Sequence, residues 1–421
     1  MRNDTVQILI LAILTFSLSG AAGCKRHPAR LGKIVGSSMS PTLLGTHYEV
    51  NCPGCGIHFS CDVEQADKRD TVICPNCGTH IGRDQWILID ADPVTIVSNL
   101  EIQRWDIIAF ERDRSIGPTF DHELMTKRVV GLPGESIRFE NGELIANQVL
   151  VRKPLPVQKQ MRVLVCDSKF QANPSSTWIL TPENNWEFTN GHFQLRSPPT
   201  LGQIEWFDFS YQRNYFRNDA QPSDSALEDF YGYNQSLSRN LNTMDDVFVE
   251  INTQNSDGIL AWRFGNQNEL YEFQINEASS EIQIFNGRPD TRPLTKLHTA
   301  AISPARRNKM PTRIEFSSFD RVLRVVVNGI ELWTLRLNAA SNAPKKTVLS
   351  FGGNSKGVRF QRIRIWRDLY YFDAETPSPP ATQSKAGFFV IGDNVPLSHD
   401  SRHWKQPSVA IESVKGKVFP Q

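Results

Sequence analysis

From residue 247 to residue 335 the chain repeats one pattern. Short runs rich in β-branched and aromatic residues, VFVEI (247–251), ILAWRF (259–264), LYEFQI (270–275), EIQIF (281–285) and RIEF (313–316), alternate with turn-forming residues. No stretch among them carries the 3.6-residue apolar period of a helix. The clearest case is VLRVVVNGIELWTL, 322–335. Asn328-Gly329 fits a two-residue type I′ turn, whose central positions both need positive φ. The alternation then puts Leu323, Val325 and Val327 on one face. Strands this short and numerous must bury their apolar faces sheet against sheet, so the block 157–372 is predicted to be a β-sandwich with the texture of a concanavalin-like jelly roll. Trp206-Phe207-Asp208-Phe209 would serve as core or as a sugar platform, core being preferred. The fold class is therefore mainly β.

At 421 residues the chain is too long for one ordinary domain. Its 46 basic and 45 acidic residues leave a net charge of +1, so no strong field is available to collect nucleic acid. Seven cysteines are too few for a disulfide-stapled scaffold. Val6 to Gly23 is uncharged for 18 residues and is flanked by Lys25 and Arg26. That is barely enough to span a bilayer. It reads either as a single N-terminal anchor or, through Ala21-Ala22-Gly23-Cys24, as a lipoprotein signal with a lipid on Cys24. Both readings tether the rest of the chain to the cytoplasmic membrane, on its extracytoplasmic side.

The expected organisation is 1–29 anchor or lipoprotein signal; 30–50, 81–156 and 386–421 one catalytic domain; 51–80 a cysteine-rich ribbon; 157–372 the inserted sandwich; and 373–385 a Pro/Ser-rich linker. Between 84 and 156 the strand-like runs are WILIDADPVTIV, DIIAFERD and KRVVGLPGESIRFENGELIANQVLV, with tight turns at Gly142 and Asn147.

GSSMSPTLL, 36–44, is a turn-prone serine cluster just beyond the apolar run. A serine nucleophile needs a partner to take its proton. The histidines give no defensible triad, and G-x-S-x-G is missing. A lysine can serve if burial lowers its pKa from about 10.4 to roughly 7.5–8.5, at a cost of about 3 to 4 kcal/mol. Lys127, at the start of an apolar strand that runs into a tight turn, qualifies; most strand lysines are solvent-facing edge residues.

Four segments in order resemble the boxes of type I signal peptidases: GSSMSPTL the S-M-x-P-T box, WDIIAF the G-D-I-V-x-F strand, LMTKRVVGLPGESI the K-R-x-x-G-x-P-G box, and IGDNVPLSHDSR the G-D-N-x-x-x-S-x-D-S-R box. The resemblance covers roughly 30–50, 84–156 and 386–421, not the cysteine block or the sandwich. It implies a signal-peptidase-like β domain in which Ser38 is the nucleophile and Lys127 the general base. Met39, Pro41 and Thr42 would shape the turn and cleft. Ser398 would orient the lysine amine, Asp400 and Arg402 would form a supporting ion pair, and Asp393 with Asn394 would hold the loop. Gly36 stands where some members place a serine hydroxyl in the oxyanion hole, so the second donor must come from elsewhere. Trp105 replaces the usual glycine before Asp106.

Cys52-x-x-Cys55 and Cys74-x-x-Cys77, each followed by glycine, have the spacing of a four-thiolate structural Zn²⁺ site. Two disulfides are the alternative. A closed Cys₄ site leaves no position for water, so the zinc would stabilise a small ribbon, and catalysis needs no cofactor. Cys166 reads as buried filler.

The function expected is that of a membrane-tethered serine endopeptidase removing signal peptides from exported preproteins through a Ser/Lys dyad. The expected partners are those signal peptides, the membrane, and a glycan or protein ligand of the insertion. One rival is a non-catalytic, membrane-anchored binding protein built on the sandwich and ribbon. Another is a related Ser/Lys autoprotease.

Overall fold

A computed structural model describes residues 29–116, 119–171, 177–180, 185–200, 202–211, 226–254, 257–276, 279–291, 293–302, 312–337, 347–372 and 387–421. The apolar segment 6–23, Cys24 and the stretch 373–385 lie outside them. Among the described residues no helix is long and apolar enough to cross a membrane.

The chain is mainly β. A seven-stranded antiparallel sheet runs in the order Ala29–Lys33, Pro93–Val97, Val414–Pro420, Ile107–Ile116, Thr119–Gly131, Gly387–Ile391, Ser408–Ala410. Strands from before residue 132 and after residue 386 thus intermix in one sheet: Gly387–Ile391 pairs with Thr119–Gly131, and Val414–Pro420 lies between Pro93–Val97 and Ile107–Ile116. The run 86–97 is not one strand. It breaks at Asp90-Ala91-Asp92, where Leu44 N–H donates to the Asp92 carboxylate at 2.7 Å and Asp92 N–H to Leu44 O at 2.9 Å. Trp86–Ile89 consequently turns away to pair with His47–Asn51 beside His58–Asp62.

Residues 137–150 form a three-stranded meander. Its turns place Asn141, Gly142, Asn147 and Gln148 at positive φ, which is why Asn and Gly recur there.

The sandwich is two facing sheets. One contains Trp186–Thr189, His192–Leu195, Arg359–Arg367, Val247–Thr253, Thr312–Ser317, Val322–Val327 and Ile330–Arg336, with Val163–Asp167 added on Arg359–Arg367. The other contains Trp178–Ile179, Glu205–Phe209, Val348–Gly353, Ile259–Gly265, Leu270–Asn276, Glu281–Gly287 and Thr295–Ala301. Both contribute to a single core, where Leu323, Val325 and Val327 lie together with Trp178, Trp262 and Phe207. Phe207 stacks on Phe193 with ring centroids 4.4 Å apart, so the aromatic cluster at 206–209 supplies core through Phe207, while Trp206 is half-buried. Cys166 is part of this core. The turn at Asn328-Gly329 has φ of 49° and 83°, as a type I′ hairpin requires.

Candidate functional site

The serine cluster follows the first sheet strand as a tight loop. Met39 is the pin: it is 1 % exposed and sinks between the loop and the sheet, against Ile34, Leu43, Val94, Ile107 and Val418. Thr42 and Leu43 both donate backbone N–H groups to Met39 O at 3.0 Å, which curls the loop and leaves Ser38, one residue earlier, half-buried at its mouth. Gly36 has φ of 74°, a left-handed conformation that side chains resist, and a Cβ there would meet nothing within 4 Å. Glycine at 36 is thus favoured by backbone conformation, not by lack of space.

Lys127 sits on the long strand Thr119–Gly131, opposite Ile108 and two residues before Val129. It is 4 % exposed, with Ile108 and Val129 fully buried beside it. Its Nζ donates to Ser38 Oγ at 2.6 Å. The structure therefore brings together two side chains 89 residues apart in sequence.

The segment 392–404 closes the site from the other side. Asn394 N–H donates to Ser38 O at 3.0 Å. Its side-chain Nδ2 donates to Ser37 O, also at 3.0 Å. A Cβ on Gly392 would overlap both Ser38 O and Ser398 Oγ, so only glycine lets the two chains approach this closely. Asp393 accepts from Thr42 Oγ1 at 2.5 Å and from Arg128 Nε and Nη2 at 2.8 and 2.6 Å. Burial works against the Arg128 charge, but the adjoining Asp393 carboxylate holds its pKa above the ordinary range. Arg128 Nη1 also donates to Trp105 O at 2.7 Å. Arg128 had no role in the sequence reading, although its place in the K-R box beside Lys127 was a usable signal.

Asp400 and Arg402 form a two-pronged ion pair, with Nε to Oδ1 and Nη2 to Oδ2 both at 2.9 Å. Burial opposes ionisation of Asp400, yet the Arg402 charge, with the neighbouring polar groups of His403 and Ser398, more than offsets it and holds the carboxyl well below its usual range. Gly392 N–H donates both to Ser398 Oγ at 3.2 Å and to Asp400 Oδ2 at 3.1 Å. Arg402 Nη2 further donates to Val395 O at 2.7 Å, which fixes the loop's curvature.

Residues of the 157–372 block reach both loops of the site, Asn234 and Tyr231 among them, and no local sequence signal announces these two. Asn234 and Asn394 face each other amide to amide, with N–H···O distances of 2.7 and 2.9 Å. Tyr231 OH lies 2.5 Å from Ser40 Oγ.

The second cluster is the four cysteines. The two knuckles repeat one geometry: Gly56 N–H donates to Cys52 O at 2.8 Å and Gly78 N–H to Cys74 O at 2.9 Å, with φ of 77° and 75° at the glycines. The four Sγ atoms all lie within 4.8 Å of one another. Cys52 and Cys77 are 3.5 Å apart and Cys55 and Cys74 3.8 Å, far beyond the S–S bond length of about 2.05 Å. Sulfurs at the corners of a tetrahedron with bonds of about 2.3 Å would be separated by about 3.8 Å. Asn76 Nδ2 donates to Cys55 Sγ at 3.5 Å, as suits a thiolate. His58 and Cys61 are outside the cluster.

The family model described as "Signal peptidase, peptidase S26" matches residues 11–192. "Signal peptidase I V" of Bacillus subtilis (strain 168) is 42 % identical over 53 residues, which are 13 % of this chain and 27 % of that protein. The chain thus spans about a quarter of the length of this curated relative. Together these matches identify a signal-peptidase-like domain. Among solved structures, the carbohydrate binding module CBM66 from Bacillus subtilis aligns over 46 % of this chain and 93 % of its own at 9 % identity, with a TM-score of 0.28. A Bacillus subtilis protein of unknown function with a galectin-like fold aligns over 49 % and 97 % at 8 % identity, with a TM-score of 0.32.

Proposed function

We propose that the protein is a membrane-tethered serine endopeptidase that removes signal peptides from exported preproteins. The observation that carries this reading is the 2.6 Å hydrogen bond from the buried Lys127 amine to Ser38 Oγ, inside a segment matched by a signal-peptidase family model. Lys127, uncharged at the moment of attack, takes the Ser38 proton. Desolvation is the force that favours the uncharged amine. Ser38 Oγ then bonds to the scissile carbonyl carbon, and the oxyanion is met by the Ser38 backbone N–H and a second donor other than a Gly36 side chain. The ammonium returns its proton to the leaving amine, and water, deprotonated by the same lysine, releases the acyl group. An extended substrate would add along a strand edge, and small side chains before the cut are expected from the resemblance.

The cysteine cluster fits a structural Zn²⁺ held by Cys52, Cys55, Cys74 and Cys77. Bound there, the ion would cross-link two knuckles whose own core is small.

The test is cleavage of a preprotein by the full chain in detergent. Ser38→Ala and Lys127→Ala should each lower the rate by at least about a thousandfold. Equal cleavage by all three proteins rejects the dyad, and no cleavage by any favours the non-catalytic binding protein.

A further inference from the structure

The amide pair between Asn234 and Asn394 ties the inserted block to the nucleophile. Asn394 has two side-chain N–H groups. One donates to Ser37 O at 3.0 Å and the other to Asn234 Oδ1 at 2.9 Å, while its own Oδ1 accepts from Asn234 Nδ2 at 2.7 Å. Its backbone N–H holds Ser38 O at 3.0 Å. Asn394 therefore clamps two consecutive carbonyls around the serine, and Asn234 fixes the plane of the clamp. Both side chains are buried, at 5 % and 1 % exposure, where an amide that loses a partner finds no water to replace it.

Asn234 is itself held on both sides. Next to it, Gln235 makes a second amide bracket on the cysteine ribbon, accepting from Ile73 N–H at 2.9 Å and donating to Ile73 O at 3.1 Å. Asp62 N–H donates to Tyr233 O at 3.0 Å. Arg367 Nη2, from the sandwich, donates to Phe230 O at 2.6 Å. Gly232 passes so close to Pro75 that a Cβ would contact its ring at 2.8 Å. Residues 230–235 are thus a strap, gripped by the ribbon and the sandwich, that presents Asn234 to the catalytic loop.

We propose that Asn234 is a positioning residue for Ser38, so that the insertion completes the catalytic apparatus. Asn234 acts through Asn394, and its loss should lower kcat while leaving KM nearly unchanged. This rests on the peptidase reading above. A displacement of the nucleophile by a fraction of an ångström predicts a fall in kcat of about 10- to 100-fold.

The experiment uses the full chain in detergent, with preprotein cleavage and hydrogen exchange measured on the same samples. Asn234→Ala should reduce kcat by about tenfold or more, with KM within about twofold. Asn234→Asp keeps the volume and the acceptor for Asn394 but loses the donor; it should fall between Ala and wild type, and it carries the test if the Ala variant does not fold. The double variant Asn234→Ala/Asn394→Ala should be no slower than Asn394→Ala alone, because one residue works through the other. Exchange at the Asn394 amide, whose hydrogen bond is to Ser38 O, should rise at least tenfold in Asn234→Ala while the sandwich strands stay protected. A folded Asn234 variant with kcat within twofold of wild type, a change confined to KM, or additive effects in the double variant would each overturn the proposal. If wild type and Ser38→Ala are equally inactive, the peptidase reading fails by itself; the exchange measurement still decides the clamp, since unchanged protection at Asn394 shows that Asn234 does not hold it.

Discussion

Trp105 shows how one residue can break a local rule and be kept by its surroundings. Its φ is 76°, a conformation costing an L-residue about 1–2 kcal/mol, at a position where the resembled family uses glycine. The turn needs that conformation: Trp105 N–H reaches Val129 O at 2.7 Å, and Trp105 O accepts from Arg128. The indole offsets the cost. It is 7 % exposed, packs with Val130, Ile137, Leu144 and Val395, and lies under the Lys153 amine, 5.5 Å from the ring centroid. Losing a buried Trp side chain costs about 3–5 kcal/mol, which exceeds the strain relieved. Trp105→Gly should therefore destabilise the protein by about 1–4 kcal/mol net, read as a lower denaturation midpoint at unchanged m-value. A stabilised Trp105→Gly would mean that backbone strain, not indole burial, dominates here.

At the scale of elements, the cysteine ribbon gives the sharpest expectation. Its buried core is Val50, Ile57, Ala66, Val72 and Ile81 with cysteines, edged by half-buried Tyr48, Phe59 and Trp86, a small apolar set for a unit that must hold its shape. Metal analysis of the purified chain should give about one zinc and four reduced thiols at this site. Cys74→Ser should drop the zinc content several-fold, and chelation should open residues 51–80 to proteolysis while the sandwich strands remain resistant. Two disulfides without zinc would defeat the assignment. This element was legible because its signal is local: two C-x-x-C-G knuckles at a fixed spacing. The hairpin at 322–336 was legible for the same reason, since Asn328-Gly329 sits between alternating apolar runs. The strand Thr295–Ala301 was not, because TKLHTAA is almost wholly exposed on the edge of its sheet and carries no apolar alternation.

At the scale of the molecule, what the sequence hid are contacts between parts far apart along the chain. Ser38, Lys127 and the 392–402 loop could be found through ordered motifs, whereas Asn234, Tyr231, the buried charges Glu143, Lys153, Asp320 and Asp368, and the less buried Asp245 and Asp246 beside them belong to no motif. Those charges make the junction between meander and sandwich pH-sensitive. Lys153 is buried between Asp320 and Asp368, the latter at 2.8 Å, and Glu143, Asp245, Asp246 and Arg321 lie around them. Carboxylates outnumber the cations available. Burial, then repulsion from Asp320, pushes Glu143 up to about 8; burial pushes Asp368 up to about 6, and Asp246 is raised well above its ordinary value. In the unfolded chain Glu143 would ionise near 4.5. Between that pH and about 8 the folded state binds the extra proton, so stability falls as pH rises across this window, and Asp368 adds to the fall in its lower part. Glu143→Gln keeps the neutral form at every pH. It should match wild type near pH 5 and exceed it by roughly 1–3 kcal/mol at pH 8.5, the loss of the Arg321 contact at 3.6 Å being a smaller opposing effect. Urea denaturation midpoints from pH 5 to 8.5 provide the check: wild type should decline and the variant should decline less. Parallel curves for the two proteins would show that Glu143 is already ionised in the fold and that the cluster accommodates its charge.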